Sequence, residues 1–233
     1  MASNGFGQEA LIEMFAAASA KQSEALRQAV SQATLKALQG RELTLANIRS
    51  VLKTMTQAAS AGIARNDATP PADVEALLGA AFEGMDGALL QAVEANRRAL
   101  QQFVDQGVGL QQERLQSALA DLEKMEDTFL ATVGKAAQAA GAPLQGPWAQ
   151  LLESMKLKGT DTGQQASAAV EQLMSQTQSA LRSSRQMSLR AGQALLDSYA
   201  ALASGVLIGM SEGLQKGGKA RAAAAPPAAA KKR

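Results

Sequence analysis

Apolar residues recur along this chain at steps of three and four, the repeat of an α-helix with one apolar face. Leu11 and Phe15, then Leu26, Val30, Ala33 and Ala37, predict a first helix over 8–39 that stops at Gly40. Leu45, Ile48, Leu52, Met55, Ala59 and Gly62 form a heptad-like seam and predict a second over 44–65. The stretch 66–71 reads as a turn, with Thr69 as N-cap and Pro70 at the first helical position. A long helical region to about 140 follows, carrying Val74, Leu78, Ala81, Met85, Phe103, Leu122, Phe129 and Val133. Gly107 and Gly109 predict a kink inside it.

Gly141, Pro143, Gly146 and Pro147 predict a loop over 141–147 before a short helix over 147–157. A turn over 158–163 leads to a last helix over 164–214. Its seam runs Val170, Leu173, Thr177, Ala180, Ser184, Met187, Ala191, Ala194, Ser198, Ala201, Gly205 and Ile208. Beside it lies a row at multiples of seven, Met174, Leu181, Leu195 and Leu202. The breaks are thus placed near 40–43, 66–71, 107–109, 141–147 and 158–163, within a helical body over 8–215. Residues 1–7 read as a disordered N-terminus.

Composition thins the core this pattern can build. Hydrophobic residues are 46% of the 233, but aromatics are only 3% and alanine carries much of the remainder. Alanine buries little area, and burial stabilises by roughly 25 cal/mol per Å²; the same residue types are strong helix formers. The expected fold is all-α, an elongated antiparallel bundle of long amphipathic helices. Phe15, Leu45, Ile48, Leu52, Met55, Leu78, Phe103, Leu122, Phe129, Leu173, Met187 and Leu195 are its expected core.

The chain has neither cysteine nor histidine. Zinc sites of thiolate and imidazole, Ser-His-Asp and Cys-His nucleophile pairs, and disulfides are therefore excluded. The glycine pairs 107/109 and 217/218 match no phosphate-binding loop. Glu123, Glu126 and Asp127 read as a solvated helix face, and Trp148 as a hydrophobic plug. No catalytic, cofactor-binding or metal-binding residue is assigned, and no cofactor is expected. The longest apolar stretch, 199–210, is shorter than the ~20 residues a membrane-spanning helix needs. Glu9 and Glu13 stand where a signal peptide would be basic. A soluble cytoplasmic protein is expected.

Charge is segregated. The formal balance is +2, from 23 Lys and Arg against 21 Asp and Glu. Lys216, Lys219, Arg221, Lys231, Lys232 and Arg233 lie in an acid-free Ala/Pro/Lys tail over 216–233, which is expected to be disordered. Removing those six from 23 cations leaves 17 against 21 acids in the body. The tail cations are candidate polyanion contacts, including weak nucleic-acid binding. Leu45, Ile48, Leu52, Met55, Leu173, Met187, Leu195 and Leu202 are candidates for helix packing or for contact with a hydrophobic surface.

The helical body and the tail AAAAPPAAAKKR resemble phasins, the bacterial proteins that coat polyhydroxyalkanoate granules. The strings LTLANIRSVLKTMTQAASAGIA, DLEKMEDTFLATV and YAALASGVLIGMSEGL resemble an uncharacterised all-helical bacterial family related in style to phasins, over about 10–215. That resemblance implies a non-enzymatic protein whose amphipathic helices adsorb to the polyester surface, with the tail meeting a polyanion. The alternative is a self-associating coiled-coil scaffold or regulatory protein, a homo-oligomer that binds only protein partners.

Overall fold

The structure, a computed structural model, describes residues 7–39, 43–66, 71–105 and 112–183, with the backbone alone described at 71–72, 103–105, 112–115 and 177–183. All regular structure among the described residues is α-helical: α1 Gln8–Ser19, α2 Ser23–Leu38, α3 Leu45–Ala64, α4 Pro71–Asp105, α5 Gln112–Glu123, α6 Met125–Gln138, α7 Ala142–Lys158 and α8 Asp161–Ser183. The helices form one packed bundle. No helix among the described residues is long and apolar enough to cross a membrane.

The organising element is α4. Its 35 residues span about 52 Å at 1.5 Å per residue, long enough to serve two sets of neighbours. Its first half lies against α2 and α3, and its second half against α8. Phe82 of α4 stacks on Phe129 of α6, ring centroids 4.7 Å apart. Both rings are among the largest fully buried side chains.

The helix expected over 8–39 is two helices. Between them Gln22 is fully extended (φ −169°, ψ 157°). Ala20, Lys21 and Gln22 are all good helix formers, so local propensity does not cause this break. The fold makes it because α1 packs on α3 while α2 packs on α4. The end of α1 is also tied from outside: Asn66 donates from Nδ2 to the Ala16 carbonyl, which already accepts from the Ala20 N–H, at 3.2 Å and to Ser19 Oγ at 2.5 Å.

A second correction falls at 141–147. The α7 helix starts at Ala142, and Pro147 sits inside it. Pro143 lies in the first turn, where its missing N–H costs nothing. Pro147 forfeits a single bond, to the carbonyl four residues back. Gln145 compensates nearby, donating from Nε2 to the carbonyls of Gln138 and Ala140 at the end of α6, both at 3.1 Å. The last helix also starts earlier than expected, at Asp161 rather than 164. A break that no Gly or Pro marks separates α5 from α6 at Lys124 (φ −92°, ψ 5°). The expected kink at 107–109, the cap at Thr69 and the N-terminal and C-terminal tails lie outside the described residues.

Of the expected core, Phe15, Ile48, Leu52, Met55, Leu78, Leu122, Phe129 and Leu173 are buried. Leu45 is half-buried because it opens α3 at an end of that helix, with its N–H 3.4 Å from Asp121 Oδ2. The side chains of Phe103, Met187 and Leu195 lie outside the described ones.

Candidate functional site

The most concentrated polar chemistry in the interior surrounds the first turn of α8. Four helix N–H groups there lack intrahelical partners. Asp86, from the middle of α4, accepts two of them, from Asp161 at 3.0 Å and Thr162 at 3.1 Å. Thr162 Oγ1 donates back to the Asp86 carbonyl at 2.9 Å. Gly163 donates its N–H to Thr160 Oγ1 at 2.9 Å, an N-cap. Glu126 Oε1 in turn accepts from the Thr160 N–H at 2.7 Å and from its hydroxyl at 3.2 Å. A Cβ at position 163 would overlap the Glu126 carboxylate, which would have to move away from Thr160 to make room.

Two carboxylates from different helices therefore fill the positive end of α8. Burial pushes the Asp86 carboxyl above its usual range, while the hydrogen bonds from Thr162 and Asp161 pull the other way. The arrangement is a helix cap shared among α4, α6 and α8, and its donors are spent on protein acceptors. Glu123 and Asp127 remain exposed, but Glu126 is half-buried in this node rather than on a solvated face. Asp86 is the member of the node that sequence reasoning misses. Its signal is an acid on an apolar stripe, four residues after Phe82 and three before Leu89.

One to three turns further along, α4 and α8 meet through a second polar group. Glu94 accepts from Arg97 Nε and Arg98 Nε, each at 2.8 Å, and from Gln165 Nε2 at 3.0 Å. Arg97 Nη1 reaches Gln172 Oε1 at 3.0 Å. The Arg97 guanidinium, against the opposing effect of burial, holds the Glu94 carboxyl down to about 2. These contacts advance together along both helices, so α4 and α8 run in the same direction.

Trp148 is 1% exposed, and its indole N–H donates to Ser60 Oγ at 3.0 Å. Ser60 donates its own hydroxyl proton to the Thr56 carbonyl at 2.8 Å. The indole thus plugs the core with its one polar atom satisfied. Beside it a cleft of about 300 Å³ is lined by Gln8, Gln57, Ser60, Ala64, Ala139 and Gly141 among others. Its lining holds no titratable side chain. Among the described residues no cluster of acids is placed to hold a metal ion.

The apolar candidates separate by position. Ile48, Leu52, Met55 and Leu173 face the interior, and Leu45 is half-buried. Met187, Leu195 and Leu202, and the cations Lys216, Lys219, Arg221, Lys231, Lys232 and Arg233, lie outside the described residues. Among those described, the exposed large hydrophobic side chains are Leu157 at 86% and Met174 at 47%. The described body presents no broad apolar patch on its surface.

A family profile described as a family of unknown function (DUF6781) matches residues 1–216. No curated protein and no solved structure matches the chain.

Proposed function

The chain belongs to this DUF6781 family, and we propose that it is a non-enzymatic, phasin-like interaction protein of the cytoplasm. Its amphipathic helices associate with a hydrophobic surface such as a polyhydroxyalkanoate granule, and its basic tail meets a polyanion. The observation that carries the reading is where the apolar stripes lie. The apolar side chains of the described helices are turned inward, α4 being buried round most of its circumference, and Ala and Gly sit among the Leu, Ile, Val, Met and aromatic residues that fill the interfaces. A bundle so constructed can exchange helix-on-helix burial for helix-on-surface burial at small net change in buried area. Adsorption then proceeds by opening, since the closed body offers only Leu157 and Met174 as large exposed apolar contacts among its described residues.

Co-sedimentation with polyhydroxybutyrate particles tests this, comparing the full chain with one ending at Gly218. Salt-resistant binding by both chains is expected, because the affinity resides in the helices. If neither chain binds, the reading is wrong.

A further inference from the structure

Between Asp161 and Gln176, α8 buries two apolar side chains larger than a methyl group, Val170 and Leu173, together with Ala166 and Ala169. Over its 20 residues α3 buries five such side chains, Ile48, Val51, Leu52, Met55 and Ile63. What else fastens α8 is polar. Asp86 and Glu126 hold its N-terminal end, Glu94 takes Gln165, and Arg97 takes Gln172. Glu94, Gln165 and Arg97 are half-buried and Gln172 is exposed, so water can take over the last two bonds at little net change. The neighbours of α8 are α4, α5 and α6, and the joints among α1, α2, α3 and α4 are made without it.

The surface beneath α8 is apolar between its polar ties. Val93 and Leu100 share one face of α4 with Asp86 and Arg97, at steps of seven, four and three. Asp86 and Arg97 both reach α8, so this is the face that α8 covers, and Val93 and Leu100 are buried there.

We propose that α8 is a strap that lifts off α4 as a unit, turning about Gly159, before the rest of the bundle opens. A weakly fastened element opens locally at a lower free energy than the whole fold. Gly159 joins α7 to α8 at φ +76°, the one positive φ among the described residues, and a glycine in such a turn absorbs the change in backbone angles that a hinge needs. Lifting bares Val93 and Leu100 on α4 and Val170 and Leu173 on α8, and these are the first apolar faces to meet the hydrophobic surface. The purpose of the lifting rests on the adsorption reading, but the lifting itself belongs to the free protein.

Hydrogen exchange of the full chain in solution, without particles, tests the strap. Amides between 165 and 176 should exchange together, at least tenfold faster than those of α3 between 52 and 63. Ile48→Val, in the buried core of α3, should quicken exchange in α3 several-fold and leave α8 unchanged, because α8 opens without α3. The chain has no cysteine, so a short bis-maleimide can join Arg97→Cys to Gln172→Cys. That link should slow exchange in α8 at least tenfold and cut adsorption to polyhydroxybutyrate particles at least fivefold against the unlinked double variant. Exchange in α8 no faster than in α3, or α8 quickening in step with α3 in the Ile48→Val chain, would overturn the proposal. So would a linked chain that adsorbs as well as the unlinked one. If the wild type does not adsorb at all, the adsorption reading fails, and the exchange rates still decide for or against the strap.

Discussion

The bundle is joined in two different ways on either side of the middle of α4. Toward α1, α2 and α3 the joints are steric. A Cβ at Gly84 would stand 2.5 Å from the Arg27 carbonyl, and one at Gly62 would stand 2.8 Å from the Ala16 nitrogen. Backbones touch there, and the polar links, from Asn66 to Ala16 and Ser19 and from Arg65 to Glu9, lie at the end of the α1–α3 contact. Toward α8 the joints are polar: Asp86 and Glu126 cap the helix, and Glu94 gathers Arg97, Arg98 and Gln165. Steric joints resist any change of volume, whereas polar joints respond to charge and to the loss of single bonds. The two halves should therefore fail under different perturbations.

The largest effect is expected in the steric half. Leu52 is fully buried in α3, and Leu52→Asp leaves an unpaired charge there, at a cost of roughly 3–5 kcal/mol. Loss of helical circular dichroism at 25 °C, or a collapse of the melting temperature, is the expected readout. Gly84→Ala should cost about 1–3 kcal/mol, because its new methyl meets backbone that must shift. Gly87, three residues on, has open space where its methyl would go, with nothing within 4 Å. Gly87→Ala should instead stabilise by about 1 kcal/mol through helix propensity. Denaturation midpoints of this pair separate crowding from propensity within one helix; a shared sign would refute the close α2–α4 crossing.

In the polar half the effects are smaller and local. Asp86→Ala removes the acceptor for two N–H groups of α8 and should cost about 1 kcal/mol, reduced by relief of its own burial. Amide exchange should quicken in the first turn of α8 and remain unchanged in α3. Trp148→Phe keeps most of the plug but removes the indole N–H from which Ser60 accepts, leaving its bond to the Thr56 carbonyl, for about 1 kcal/mol by melting.

The smallest effect is the pH response. The Glu94 carboxyl is held at about 2, below its ordinary 4.5. Its contribution is therefore complete above pH 4.5 and is lost as pH falls toward 2. Asp86 has the opposite sign. Its carboxyl is raised above 3.8, so the folded state takes up that proton first, and acidification favours folding at this one site. Glu94→Gln should flatten the acid limb of a stability–pH curve between 4.5 and 2. An unaltered acid limb would show that the Arg97 contact contributes nothing to stability.

Periodicity made the all-α bundle readable in advance because a one-sided apolar stripe can be buried only against another element. It placed α3 within a residue at each end, since Thr44 supplies a cap and the seam at Ile48, Leu52 and Met55 is strict. It missed the turn at 20–22, where the chain reverses through good helix formers because α1 and α2 have different partners. It misplaced the start of α7 because proline at 143 and 147 reads as a loop, while Gln145 supplies bonds at the adjoining helix end. The α8 node was hidden for a related reason. Asp86 and Glu126 become a cap only when α4, α6 and α8 converge, and spacing along one helix carries no information about a carboxylate arriving from another.

The central claim is that the inward stripes turn outward on a hydrophobic surface, and a distance measured across the bundle tests it most directly. Lys53 on α3 and Lys135 on α6 are exposed, and α3 packs against α6. In a chain without cysteine, spin labels at Lys53→Cys and Lys135→Cys report that separation alone. The account predicts one narrow distance in solution and a longer, broader one when the protein is bound to polyhydroxybutyrate particles. Tight binding with the solution distance unchanged would contradict it.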